Sequence, residues 1–217
     1  MSRGSVSRLV PLLAVVALAA TATAAQATTP HWYRCEAVAG GTFGAGCTGA
    51  GSGFNKVEVN SSGIEVTGAG ELIIKEPATS PTREFECKLV DEGTVLNPSG
   101  GGAGKGTFTF TTFGCSLRSG TCAETEVIAT DMPWNTLLVA GPPITDKISG
   151  IELEVYCNHH TLENTLSGSL KPEVVHSKPS LLKFTSATGL LGGTSNNAEV
   201  IGEDSIEGPG REVVFAE

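Results

Sequence analysis

Apolar and polar residues alternate along most of the chain beyond residue 27, which is the period expected of strands that bury one face. In the clearest case, residues 107–113, Phe108 and Phe110 are predicted to share one face, with threonines on the other. No convincing amphipathic helical pattern accompanies these strands. Further strands are predicted at 32–38, 56–59, 64–67, 71–75, 84–89, 124–129, 136–139, 151–157, 166–170, 181–185, 198–201 and 212–215.

Clusters of Gly, Pro, Asn and Ser separate these strands, notably at 97–106 and 140–143. Short strands with such turns between them indicate an all-β fold, either a single antiparallel β-sandwich or a β-barrel. Residues 77–81 and 171–179 resemble linkers. We nevertheless predict one continuous domain over 28–217, because a disulfide expected below spans the middle of the chain.

The first 27 residues have the pattern of a secretory signal peptide. Arg3 and Arg8 precede an apolar stretch, and small residues follow in Ala-x-Ala patterns that end at Ala24 and Ala27. An uncleaved N-terminal anchor is the alternative, but the apolar run is shorter than a bilayer span. The sequence therefore predicts a secreted protein, extracellular or associated with the cell envelope, with no membrane span after cleavage.

The net charge and the distribution of basic residues limit the kinds of partner that the protein is expected to bind. Cleavage would remove Arg3 and Arg8 and change the formal net charge from −9 to −11. The remaining basic residues are not clustered, so we predict no nucleic-acid binding, which requires concentrated positive charge.

The six cysteines all follow the signal sequence, and an even number in an exported chain predicts three disulfides. Cys115 and Cys122 bracket a polar turn, and Cys35 and Cys47 bracket a glycine-rich stretch, so both pairs are expected to form local bridges. This leaves a bridge between Cys87 and Cys157, whose side chains both lie on the apolar faces of predicted strands. Metal ligation is disfavoured because no Cys-x-x-Cys spacing occurs.

No cofactor site is predicted. The string 44–49 fits a dinucleotide-binding glycine motif by letter, and 99–107 resembles a phosphate-binding loop, but neither lies between a strand and a helix. His159 and His160 follow Cys157 in a predicted hairpin tip. We predict no metal there, because few further ligands accompany them.

Two features bear on binding and catalysis. Asp131-Met132-Pro133-Trp134 places Trp134 in a proline-bounded loop, where an exposed indole would contact a sugar or a partner, while a buried one would close the end of the fold. Glutamates also occur two residues apart, as in carboxylate-pair glycosidases, although a solvated strand face explains them equally. These pairs are Glu84/Glu86, Glu124/Glu126 and Glu152/Glu154.

Several short motifs carry a resemblance to a family. Glu84-Phe85-Glu86-Cys87-Lys88, the run 109–115 with Cys122, and Val155-Tyr156-Cys157 followed by 166–170 and 182–184 resemble an uncharacterised family of secreted, cysteine-bridged β proteins from actinobacteria. The resemblance implies an exported β protein with three bridges, and it implies no catalytic or binding residue.

The leading functional hypothesis is a non-catalytic extracellular or cell-envelope module that binds an unknown surface ligand or envelope component. The alternative is a secreted carbohydrate-active hydrolase that uses paired glutamates. The sequence does not determine the oligomeric state.

Overall fold

The computed structural model describes residues 28–76, 82–158, 161–192 and 197–217. The predicted signal peptide, residues 77–81 and the His159–His160 pair lie outside these ranges. The described strands are β1 (Trp32–Ala37), β2 (Phe54–Glu58), β3 (Ile64–Glu76), β4 (Arg83–Leu96), β5 (Lys105–Ser119), β6 (Glu126–Thr130), β7 (Trp134–Val139), β8 (Thr145–Cys157), β9 (Thr161–Leu170), β10 (Glu173–Val175), β11 (Ser180–Leu191), β12 (Asn197–Gly208) and β13 (Glu212–Ala216).

Eight strands form a closed antiparallel barrel, so the all-β prediction is confirmed, and the barrel is the form observed. Neighbouring strands follow the order β3, β4, β5, β7, β8, β9, β11 and β12, and β12 pairs with β3 to complete the circle. Closure satisfies the edges that an open sheet of this length would expose. Residues 171–179, which resembled a linker, contain β10, and this strand pairs with β11.

Alternation along the strands separates the barrel interior from the solvent. On β4, Phe85, Cys87 and Leu89 are buried, while Glu86 and Lys88 between them are exposed. The inward residues of the barrel strands form one continuous apolar core. The period of two read from the sequence therefore corresponds to the inner and outer faces of the barrel.

One predicted face is wrong. Phe108 and Phe110 do not share a side of β5, because the β4–β5 ladder shifts register between the pairs Glu92–Phe110 and Gly93–Phe108. This β-bulge adds Thr109 between the two aromatic residues and reverses the alternation. Phe108 packs against the core, whereas Phe110 is 48% exposed.

Polar groups lie near both ends of the barrel. At one end the buried Asn97 side chain accepts a hydrogen bond from the Trp32 backbone N–H and donates to the carbonyl oxygens of Trp32 and Val59. At the other end, Nε of Arg83 lies 3.0 Å from Oε2 of Glu76, and both side chains are buried. Such fully partnered groups fix the strand ends against one another.

A smaller apolar cluster lies outside the barrel, between β1, β13 and the glycine-rich segment before β2. It contains the Cys35–Cys47 disulfide and Phe215, on which the His176 ring stacks at 3.7 Å. His176 is thus a packing residue that also contacts the carbonyl oxygen of Gly46 through Nε2.

The predicted Cys35–Cys47 bridge is confirmed, but the other two pairings are wrong. The observed bridges are Cys87–Cys115 and Cys122–Cys157. Cys115 faces Cys87 directly across the β4–β5 ladder, so it has no access to Cys122. Cys122 precedes β6, whose pairing with the end of β8 places it beside Cys157.

Candidate functional site

Part of the barrel wall, between β5 and β6, lacks a hydrogen-bonded ladder, although Cα atoms of the two strands lie within 8 Å of one another. Residues 105–108 of β5 pair with β7, but no ladder joins residues 109–119 to a second strand among the described residues. Within the same described ranges, β6 pairs with β8 alone. We call residues 109–119 and β6 together the β5–β6 seam, because two strand edges face each other there without pairing.

The chain bend between β6 and β7 produces this seam. Asp131, Met132 and Pro133 interrupt what would otherwise be one long partner for β5. Asp131 has a positive φ of 52°. Pro133 also has no N–H to donate to a ladder. Pairing with β5 therefore exists on the β7 side of the bend and is absent on the β6 side.

Exposure along β5 shows that the seam gives access to the interior. The inward-facing Thr111, Phe113 and Leu117 are only half-buried, whereas the inward residues of the neighbouring β4 are buried. Thr111 and Phe113 also line an internal cavity of about 50 Å³. Residues of all eight barrel strands line this cavity, and Thr111 and Phe113 form the part of its wall at the seam.

Apolar side chains flank the outer side of the seam. Val90, Phe110 and Ile128 are 49%, 48% and 38% exposed. Residues 109–117 contain no charged residue and no proline, which are the features that usually protect a strand edge from pairing. The seam therefore combines free backbone hydrogen-bonding groups with exposed apolar surface.

Two aspartates from different strands meet at the wall of the cavity. Asp91 on β4 and Asp204 on β12 are each 3% exposed, and β3 lies between their strands. Gly68 of β3 makes room for this contact, because a Cβ atom there would lie 2.4 Å from Oδ1 of Asp91. The two carboxyl groups form a hydrogen-bonded pair.

Burial governs the protonation of this pair. Desolvation raises the pKa of Asp91 to about 6, although its hydrogen bond with Asp204 opposes the change. The pKa of Asp204 rises well above its usual range, first through burial and then through the negative charge of Asp91. Ionisation of Asp91 therefore opposes ionisation of Asp204.

A third buried acid lies further along the barrel. Desolvation raises the pKa of Asp146 on β8 to about 7, while the Thr136 hydroxyl and the Leu137 backbone N–H partly offset this rise. Asp146 borders a second, smaller cavity of about 20 Å³ together with Trp32, Thr136 and Asp91. That volume is enough for one water molecule among polar groups.

Trp134 does not lie at the surface, where an exposed indole would contact a sugar or a partner, and its role as a ligand contact stays a prediction. Trp134 is 5% exposed, and its Nε1 donates a hydrogen bond to the carbonyl oxygen of Thr130 at 3.0 Å. It begins β7, and the Phe108–Trp134 pair places it inside the wall, where it lines the larger cavity. The alternative reading, a buried tryptophan that fills the fold, describes it better.

The glutamate pairs do not meet in a deep cleft. Glu84 and Glu86 lie on the outer face of β4, opposite the buried Phe85. Glu152 and Glu154 have the same position on β8, where the Tyr156 hydroxyl donates to Oε2 of Glu154 at 2.6 Å. Glu124 and Glu126 border an open surface depression beside Tyr156. The solvated outer face of a barrel accounts for these positions.

No group of three or more His, Cys, Asp or Glu side chains in the described part of the chain is arranged to hold a metal ion. None of the helical turns described is long and apolar enough to span a bilayer. Comparisons with protein-family models, with curated proteins and with solved structures gave no match.

Sequence reasoning missed Asp91, Asp146 and Asp204. Their only signal was position, because Asp91 continues the inward series Phe85, Cys87 and Leu89 of β4. A carboxylate in phase with apolar residues indicates a buried acid. That signal does not reveal which other acid it meets.

Proposed function

We propose that this protein is a secreted, non-catalytic binding module that captures an extended segment of a partner polypeptide by adding it as a strand to the unpaired edge of β5, with β6 displaced from β5 to make room. The observation that carries the proposal is the unpaired length of β5 opposite the unpaired edge of β6. Strand addition gives affinity through backbone hydrogen bonds and specificity through alternate side chains.

The composition of the seam supports a polypeptide partner. Unpaired backbone N–H and C=O groups are complemented best by another backbone, and an apolar small molecule would leave them unsatisfied. Side chains that alternate along the added strand would meet Phe110 and Ile128 outside and Phe113 inside.

Charge favours a basic partner segment. Glu92 faces Phe110 in the β4–β5 ladder, and Glu152 and Glu154 face Thr130 and Ile128 in the β6–β8 ladder. The whole chain is also acidic, with a formal net charge of −9. Such a field increases the encounter rate with cationic segments.

The test uses a nine-residue synthetic peptide of alternating valine and threonine with norleucine at its centre. Hydrogen–deuterium exchange should show rapid exchange at seam amides of the free protein. Saturating peptide should slow exchange in both 109–119 and 126–130, since a strand that enters as β6 moves away from β5 would pair with both edges. Protection confined to another surface, or none, would contradict strand capture.

Two variants with matched exposure sharpen this test. Ile128→Lys places a charge on the unpaired β6, and Leu137→Lys places one on β7, which is paired on both sides; the two native side chains are 38% and 39% exposed. We expect Ile128→Lys to weaken peptide binding about tenfold and Leu137→Lys to leave it unchanged. Equal effects would place the binding surface elsewhere.

A second copy of the chain is the competing occupant. Sedimentation velocity across a range of protein concentrations distinguishes it, because pairing between copies would produce a dimer whose seam amides are protected without peptide. Such a dimer would show that a second copy of the chain, and not a different polypeptide, occupies the seam.

Export is part of the proposal. Three disulfides and the resemblance to secreted β proteins support it, as does the signal-like pattern of residues 1–27. The intact mass of the protein recovered from culture medium should correspond to a chain without residues 1–27 and without free thiols. A retained N-terminus or alkylatable cysteines in the unreduced protein would contradict export.

A further inference from the structure

Three observations in the barrel interior identify the side chain that the seam accepts. The cavity behind the seam is apolar except for Thr111 and the Asp91–Asp204 pair. Oδ1 of Asp204 and Oγ1 of Thr111 are buried and have no hydrogen-bond partner within the described residues. Both oxygens can accept a hydrogen bond from an entering donor, as can the likewise unpartnered Oδ1 of Asp146 beside the second cavity.

No positive charge compensates the acids in this region. The residues that line the two cavities include Asp91 from β4, Asp204 from β12 and Asp146 from β8. The other elements around them, β1, β3, β5, β7, β9 and β11, contribute no Lys, Arg or His to either cavity. An entering cation would therefore meet an uncompensated acid pair in a low-dielectric setting, where attraction is strong.

We infer that the captured segment carries a lysine whose ammonium group passes through the seam and binds Asp91, Asp204 and Thr111; this inference rests on the strand capture proposed above. The geometry of the sheet supports the approach. Asp91 and Thr111 are direct partners in the β4–β5 ladder, so a residue added beside Thr111 continues the same inward-facing row.

The distances fit a long side chain. Adjacent strands are about 4.8 Å apart, so a residue on the added strand begins about 10 Å from the backbone of Asp91. The four methylene groups of lysine cross most of that distance among the apolar side chains of Phe113 and Trp134. Its ammonium group then reaches the acid pair.

The chemistry of the site favours lysine over arginine. An ammonium group has three donors, and the site offers three acceptors: Oγ1 of Thr111, Oδ1 of Asp204 and the Asp91 carboxylate. The cavity of about 50 Å³ accommodates a compact ammonium group more readily than the planar guanidinium of arginine.

Binding through an ion pair predicts a pH dependence. A cation binds best once the Asp91 carboxyl group has lost its proton, and the pKa of Asp91 is raised to about 6. Affinity for a lysine segment should therefore increase as pH rises from 5 to 8, whereas affinity for an uncharged segment should stay constant. Asp146 borders the second cavity and is the nearest other acid described there.

The experiment compares three nine-residue peptides of alternating valine and threonine whose central residue is lysine, arginine or norleucine. Calorimetric titration at pH 8 should give at least about tenfold tighter binding for lysine than for either of the others. Equal affinity for lysine and norleucine would overturn the lysine site and leave strand capture intact. If none of the three binds, both proposals fail.

Isosteric variants test whether Asp91 and Asp204 produce the preference for lysine. Asp91→Asn and Asp204→Asn should remove the preference for lysine and its pH dependence, while binding of the norleucine peptide persists in both. Glu71→Gln, which removes an acid from the outer face of β3, is the control and should retain the preference. A preference that survives both interior substitutions would overturn the inference, as would a flat pH profile of the native protein.

Discussion

At Gly68 the absence of a side chain permits a contact between two other residues. β3 separates β4 from β12, and Asp91 reaches Asp204 only by crossing the inner surface of β3 at this position. A Cβ atom there would also lie 2.7 Å from the carbonyl oxygen of Ser205. The buried acid pair therefore depends on a residue that has no functional group of its own.

Gly68→Ala should destabilise the protein by about 2 kcal/mol, because the added methyl group overpacks a site bounded by a carboxylate and a backbone oxygen. Gly114→Ala is the control, since a Cβ atom at Gly114 has no neighbour within 4 Å. That substitution should be neutral or slightly stabilising. Urea unfolding midpoints measure both changes, and equal losses would mean that Gly68 is not constrained.

The individual residues differ in how far the sequence determined them. Asp91 continues the alternation of buried residues along β4, so the sequence pattern was sufficient to indicate a buried acid at this position. Trp134 was equally compatible with an exposed and a buried position, because its loop composition does not define what packs over it. Its burial results from pairing with Phe108 across the β5–β7 ladder.

At the scale of elements, β5 has three segments with different environments. Residues 105–108 are paired on both sides, the bulge at Thr109 follows, residues 110–119 retain only β4 as a partner, and the Cys87–Cys115 bridge ties the last part to that strand. The sequence predicted the strand from its alternation. It gave no indication that one side would be unpaired, because pairing is a property of two segments.

The disulfide pattern also follows from pairing between elements. The β4–β5 hairpin turns in the glycine-rich segment 97–104, and its register brings Cys87 opposite Cys115. Counting outward from Leu96 opposite Lys105 would pair Cys87 with Gly114. The bulge at Thr109 shifts the register by one residue and brings Cys115 opposite Cys87, so the turn alone does not predict this bridge.

At the scale of the whole molecule, the barrel encloses three buried aspartates whose charged forms are poorly solvated. The pKa values of Asp91 and Asp146 rise from 3.8 to about 6 and about 7, and that of Asp204 rises as well. In the unfolded chain all three would titrate near 3.8. The folded barrel therefore binds protons that the unfolded chain has already released.

This difference predicts that the acids contribute full stability below about pH 4, and that this contribution is lost as pH rises through about 6 to 7. At about 1.4 kcal/mol per pKa unit, the loss is on the order of several kcal/mol. Urea unfolding from pH 4 to 8 measures it. Asp146→Asn should flatten the profile, whereas an unchanged slope would show that Asp146 is not protonated in the folded protein.

The sequence by itself determined the class of this protein. Alternation with a period of two predicted most strands and their buried faces, the exception being the face of Phe108 and Phe110, and the even set of cysteines after a signal-like segment predicted bridged cysteines. These are local properties, since a strand face is defined by side chains two residues apart. The tertiary structure decided the disulfide partners, the burial of Trp134, the meeting of Asp91 with Asp204 and the opening beside β5. Each of these depends on the register between distant segments and on barrel closure, which single-strand patterns do not encode.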